Sequence, residues 1–128
     1  MISRIHSNNA AFTLVEIMIV VAIIGLLAAL AIPGFVKARK QSQGRRILND
    51  ARQMDAAIDQ WALENGKKDG DAIITTSAAT YLKTAWPTND ILGNAYGPAN
   101  ATVGTNQVQI SSTTKAALSG VGIDWGAY

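Results

Sequence analysis

Glu16 is the residue of this chain whose type and position most demand a partner. It stands at the head of an apolar segment, residues 11–36, AFTLVEIMIVVAIIGLLAALAIPGFV, in which the run from Ile17 to Val36 carries no charge at all. A helix that crosses a bilayer needs roughly 20 apolar residues, and this run meets that length. A carboxylate near mid-bilayer costs about 2.5–3.5 kcal/mol on insertion scales. Glu16 lies too near the start of the run for the bilayer centre, yet it interrupts a continuous apolar surface, and something must neutralise it. Other reactive groups are scarce. His6 is the single histidine and cysteine is absent, so the usual bases, nucleophiles and transition-metal ligands are missing. Asp69-Gly70-Asp71 is too short for an EF-hand loop, whose ligands extend over roughly twelve positions. These residues point away from catalysis.

Ala11-Phe12-Thr13-Leu14-Val15-Glu16, followed by an apolar run ending at Pro33, resembles the cleavage and methylation segment of type IV prepilins and type II secretion pseudopilins. The resemblance covers about 25 residues and implies several things. A prepilin peptidase cuts between Ala11 and Phe12, residues 1–11 leave as a leader with His6, and the new amino terminus at Phe12 is N-methylated. Glu16 becomes the acid that recruits a subunit to a growing fibre. The family usually has Gly before the cut, so Ala11 is a departure; a small side chain fits, with slower processing expected. The implied partners are the peptidase, an inner-membrane assembly platform with its ATPase, membrane lipid, and further copies of the chain in a helical filament. The implied location is the bacterial inner membrane, single-pass, and then a periplasmic pseudopilus or an extracellular pilus.

Electrostatics agrees with that mapping. Cutting after Ala11 creates a cationic amine at Phe12, and Glu16 is expected four residues along the same helix face. Opposite charges attract strongly in low dielectric, and an unpaired one is expensive there. The amine can meet Glu16 of its own chain or of a neighbour, and the second option gives axial register to a stack of subunits. The plainer reading leaves Glu16 in the headgroup layer of an ordinary anchor.

With 128 residues, about half of them in leader and long helix, only one small further domain is possible, and no disulfide staples it. Lys37, Arg39, Lys40, Arg45 and Arg46 cluster just past the apolar run, whereas from Ile47 onward there are 5 basic and 8 acidic residues. A basic cluster can signal nucleic acid, but this one has no interleaved aromatics and adjoins a membrane helix. Lipid headgroups, or acidic neighbours such as Asp50, Asp55 and Asp59 in a fibre, suit it better, and nucleic acid is not indicated. The positive-inside rule would hold these cations in the cytoplasm, against the orientation that the resemblance implies.

Two competing readings share the apolar segment. A secretory signal peptide would use the weak basic start at Arg4 and the small residues Ala29-Leu30-Ala31 as a cleavage site; Glu16 and the continuation to Val36 oppose it. A membrane-anchored binding module that never polymerises would keep the anchor and need no cut at Ala11.

The elements that must position these groups follow from periodicity. Ile47, Ala51, Met54, Ile58 and Trp61 recur at steps of three and four, an amphipathic stripe, with Arg46, Asp50, Gln53 and Gln60 opposite. Asn65-Gly66 supplies a helix stop. The spacing predicts a helix from Phe12 to Asn65, 54 residues, kinked or weakened at Gly25, Pro33 and Gly34. Ser77 is a candidate N-cap for a helix over Ala78–Lys83. Gly93-Asn94-Ala95-Tyr96-Gly97 resembles the turn that opens the sheet in major pseudopilins. Gln107–Ser111 alternates like a half-buried strand, Ser112–Ser119 reads as a short helix closed by Gly120, and Ile123–Tyr128 as an edge strand. The six Trp and Tyr residues supply core area. Asn100-Ala101-Thr102 matches a glycosylation acceptor. The resemblance also implies calcium in a late acidic loop, for which only Asp90 and Asp124 remain; no other metal or cofactor is expected.

The expected architecture is therefore α+β: a long kinked N-terminal helix, half transmembrane and half amphipathic, packed on a small C-terminal domain with a short antiparallel sheet. Its parts are a leader over 1–11, a transmembrane and assembly helix over 12–36, an amphipathic continuation over 37–66 and a small globular region over 67–128.

Overall fold

The computed structural model describes residues 11–105 and 107–128, so residues 1–10, most of the expected leader, with Arg4 and His6, lie outside the described residues. Helix α1 runs over 51 residues, Leu14–Glu64. It is followed by a short helix α2, Thr75–Ala78, a 3-10 turn, Ala79–Tyr81, and a third helix α3, Ser112–Ala117. The chain divides into two compact units, residues 1–36 and Lys37–Tyr128.

The second unit is built on the amphipathic stripe. Ile47, Ala51, Met54, Ile58 and Trp61 are all buried, joined by Leu48 and Ala62. Against them pack Ala78, Val103, Val108, Ile110 and Leu118, with Tyr81, Trp86, Tyr96, Trp125 and Tyr128 partly buried at the margin. All six Trp and Tyr side chains thus supply core area to a domain with few large aliphatics to spare. Gly44 is buried because the Ile123 side chain lies where its Cβ would be, the two atoms 2.1 Å apart had one been present. The Gln41 amide donates to the Val121 carbonyl at 3.0 Å beside it. Further along α1, the Gln107 amide donates to Asp55 at 2.7 Å and Asp59 at 2.9 Å, and the Tyr128 hydroxyl donates to Asp55 at 3.1 Å.

The end of α1 closes as Asn65-Gly66 predicts. Gly66 takes φ 62°, the Lys67 N–H bonds the Ala62 carbonyl at 2.9 Å and the Gly66 N–H the Leu63 carbonyl at 3.5 Å. This is the paired pattern that satisfies the last carbonyls of a helix. The Asn65 side chain adds a bond to the Trp61 carbonyl at 2.8 Å.

The short antiparallel sheet is not there. Among the described residues no strand forms; three isolated antiparallel bridges remain, Ala72 with Thr102, Asn89 with Ala95, and Gly97 with Gln109. Each stops where the chain cannot continue a ladder. Pro98 follows Gly97 and has no N–H to donate, and Asn89–Ala95 closes a tight turn around Gly93, at φ 87°. Gln107–Ser111 keeps the burial of a half-buried strand, with Val108 and Ile110 inside and Gln109 outside, but pairs only through Gln109. Residues 123–128 form no edge strand either, because Gly122 and Gly126, at φ 70° and 57°, turn them back on themselves. Trp125 nevertheless packs on the core.

The helix expected after Ser77 begins earlier. Ser77 lies in the first turn of α2, its N–H bonded to the Ile74 carbonyl at 3.0 Å, and the helix tightens to 3-10 by Tyr81. Helix α3 begins where expected, with the Ser111 hydroxyl accepting from the Thr113 N–H at 3.2 Å.

Since residues 37–128 carry one continuous core, a chain lacking residues 1–35 is expected to fold and stay monomeric. Sedimentation and circular dichroism check this; filaments formed by that truncated chain would show that the apolar segment is not the main assembly element.

Tyr96 makes the domain sensitive to alkali. Its hydroxyl is buried without a hydrogen-bond partner, and burial first, then the charges of Asp50 and Asp90, raise its pKa to about 12. The folded state therefore favours the neutral phenol more than the unfolded chain does. That stability is fully present below about pH 10 and is lost as pH rises towards 12. Tyr96→Phe gives up no hydrogen bond and should flatten this alkaline limb while leaving stability at pH 7 within about 0.5 kcal/mol. Denaturant melts at pH 7 and pH 11 test it; equal alkaline losses in both proteins would place the sensitivity elsewhere.

Candidate assembly site

Of the sequence-predicted site residues, Ala11, Phe12 and Glu16 lie together at the start of α1, and the others lie elsewhere. Ala11, Phe12 and Thr13 precede the helix and are exposed, so the Ala11–Phe12 peptide bond sits in irregular backbone open to a protease. The helix begins at Leu14, two residues later than the periodicity suggests. Thr13 is the reason. Its hydroxyl accepts from the Glu16 N–H at 3.2 Å, while Glu16 Oε2 accepts from the Thr13 N–H at 3.2 Å. This reciprocal pair is a capping box, which satisfies two of the backbone donors that a helix start leaves open.

Phe12 and Glu16 are therefore not four residues apart on one helical face. Glu16 reaches back over the first turn to Thr13, one residue from Phe12. Thr13 is the functional residue that periodicity alone overlooks, and the Thr-x-x-Glu spacing ahead of an apolar run is the signal for it. The arrangement has an electrostatic use. The N-terminal end of a helix carries partial positive charge, which a carboxylate stabilises and a cation opposes. An amine liberated at Phe12 would add a full positive charge there, and Glu16 is the only acid in the first turn of α1.

Among the described residues nothing covers the apolar side chains at the head of α1. Leu14, Val15, Ile17, Met18, Ile19, Val20, Leu30 and Phe35 are each about half exposed or more, and α1 is long and apolar enough here to cross a membrane. The helical assignment runs unbroken through Gly25, Pro33 and Gly34. Pro33 has no N–H, so the Ala29 carbonyl lacks its usual donor, a local weakness worth about 3 kcal/mol in a helix interior. Among the described residues no atom lies within 4 Å of where a Cβ would stand on Gly25 or Gly34, outside their chain neighbours and the helix's own backbone.

The two late carboxylates take structural places. Asp90 is buried. Its Oδ1 accepts from the Leu92 N–H at 2.9 Å and the Asn94 N–H at 3.0 Å, and its Oδ2 from the Thr114 hydroxyl. Asp124 accepts from the Gly126 N–H at 3.0 Å. Among the described residues no group of three or more His, Cys, Asp or Glu side chains is arranged to hold a metal ion.

Residues 6–32 match the family described as the prokaryotic N-terminal methylation motif. The chain is 37% identical to the type IV major fimbrial protein FimA of Dichelobacter nodosus over 74% of its own length and 52% of FimA. It is 34% identical to fimbrial protein Q of Moraxella bovis over 73% of its length and 68% of that protein. It is 32% identical to the type II secretion system core protein G of Klebsiella michiganensis over 48% of its length and 44% of that protein. The chain thus spans about half the length of FimA, while covering two thirds of fimbrial protein Q. No solved structure is significantly similar to it. The methylation-motif match at the head of α1, together with relatives 34–37% identical over about three quarters of this chain, leads to one assignment: the chain belongs to the family of type IV pilins and type II secretion pseudopilins.

Proposed function

We propose that this protein is a non-enzymatic structural subunit of a pilus or pseudopilus filament. It is inserted in the inner membrane through residues 12–36, cut by a prepilin peptidase between Ala11 and Phe12, and methylated at the new Phe12 amine. An assembly platform and its ATPase then lift it into the fibre, where Glu16 meets the amine of a neighbouring Phe12. The observation that carries this reading is the Thr13–Glu16 box at the head of an uncovered apolar helix. An anchor that only held a domain to lipid would gain a helix cap from an acid in that position, but would have no use for its charge. In a fibre the apolar halves bundle in the centre, and head-to-tail contacts that do not close give an open helical polymer. Pro33 and Gly34 lie where the helix stretches most easily as subunits pack.

Mass spectrometry of the mature protein tests the processing. A chain beginning at methylated Phe12 is expected, whereas one beginning at Met1 or Ile32 overturns the reading in favour of an unprocessed anchor or a signal peptide. Ala11→Leu should accumulate as uncut precursor in the inner membrane.

A further inference from the structure

The charged part of α1 is segregated along the helix axis. Lys37, Arg39, Arg45 and Arg46 are exposed and Lys40 is half-buried. Their spacing, at about 100° of rotation per residue, places them around the whole circumference of the helix, a collar rather than a stripe. The stretch from Asp50 to Glu64 holds Asp50, Asp55, Asp59 and Glu64 against the single cation Arg52, so it is net negative. Three of its carboxylates are held by neutral donors. Asp55 and Asp59 accept from Gln107, Asp55 also from Tyr128, and Glu64 from Gln60 and Tyr81. These bonds fix the oxygens without cancelling their charge.

We infer that the collar of one subunit docks on the acidic stretch of a second copy, displaced along the fibre axis; this rests on the filament reading above. Every copy enters the membrane in the same direction, because each is anchored by the same segment. Two parallel copies without displacement would set collar against collar and acid against acid, which costs energy on both counts. A displacement of about 16 residues, roughly 24 Å at the helical rise, brings opposite charges together. The segregation therefore opposes side-by-side pairing and favours a staggered, polar stack. An anionic lipid surface would satisfy the collar but leave the acidic stretch without a partner.

Exchange of charge in the full-length chain tests this. Arg45→Glu with Arg46→Glu should reduce sedimentable fibre roughly tenfold, since the collar now repels its target. Adding Asp59→Lys and Glu64→Lys to the same chain should restore it, because the exchanged signs again complement each other. A collar that served lipid would not be restored, and that outcome overturns the inference in favour of a membrane contact. Because Asp59→Lys removes a Gln107 bond, a second measurement stands apart from folding. The chain has no cysteine, so Arg39→Cys with Ala56→Cys, treated with a flexible bismaleimide in fibres, should give a ladder of multimers. Arg39→Cys alone should give little dimer. Fibres with no ladder, or with abundant dimers from the single variant, overturn the stagger while leaving the filament reading intact. Failure of the native chain to form any fibre would overturn the filament reading instead.

Discussion

Subunits carrying Glu16→Ala or Glu16→Gln are expected to be inserted and cut at Ala11–Phe12 yet to be nearly absent from sheared fibres. The two substitutions separate the two uses of this side chain. As the third residue of a capping box, Glu16 supplies an acceptor to the Thr13 N–H, and Gln can supply one as well. Loss of a cap costs about 0.5–2 kcal/mol and frays one turn. As the counter-charge of an amine in low dielectric, Glu16 has no neutral substitute, and a buried unpaired charge costs about 3–5 kcal/mol. That is a loss of roughly a hundredfold or more in incorporation. If charge matters, Gln fails almost as badly as Ala; if the cap alone matters, Gln assembles and Ala does not. Thr13→Val completes the set, since it removes the hydroxyl partner of the Glu16 N–H and leaves the charge, so a mild defect is expected. Co-expression with the native subunit should recover some incorporation of Glu16→Ala, because the variant still offers its amine to a native Glu16. Normal fibre yield from Glu16→Gln alone would reduce the carboxylate to a helix cap.

How far the residues disclosed this arrangement depends on the range of the forces involved. The apolar run, the 47–61 stripe and the Asn65-Gly66 stop are local patterns, and each appears in the structure where it was expected. The Thr-x-x-Glu box is equally local, but it starts the helix at Leu14 and so leaves Phe12 off the helical face that periodicity assigns to it. The sheet failed for a different reason. Val108 and Ile110 alternate with Gln109 as a strand should, but alternation reports which side faces the core, not whether a neighbouring segment can pair. Gly93, Pro98, Gly122 and Gly126 break the potential partners into turns. Burial of Asp90 could not be read from the sequence at all, because its donors Leu92, Asn94 and Thr114 are brought to it by a turn and by a helix more than twenty residues away.

That buried carboxylate gives the largest expected loss of stability in the domain. Asp90→Ala strips the acceptor from the Leu92 and Asn94 N–H groups and from the Thr114 hydroxyl, which is fully buried. The Asn94 side-chain amide also donates to that hydroxyl, at 2.9 Å, so the turn at 89–95 and helix α3 are joined through one carboxylate. Each buried group left unsatisfied costs about 1–3 kcal/mol, and the variant should lose about 3–5 kcal/mol in all. A small domain holds about 5–15 kcal/mol in total, so a melting temperature lower by about 20 °C is expected, or failure to fold. Asp90→Asn keeps one carbonyl for the two backbone N–H groups and should fall between. Thr114→Val, of similar shape, should cost about 1–3 kcal/mol, and its coupling with Asp90→Asn in a double-mutant cycle should be plainly non-zero, since the two side chains touch. Asp124→Ala loses only an exposed bond to the Gly126 N–H and should stay within about 0.5 kcal/mol of the native chain. The same series decides between structure and calcium at this position. With its oxygens given to three donors, Asp90 would have to surrender hydrogen bonds to ligate an ion, so added calcium should leave the melting temperature unchanged. A calcium-dependent rise that Asp90→Asn abolishes would instead make Asp90 a ligand, and a melting temperature for Asp90→Ala within a few degrees of native would remove it as the joint between the turn and α3.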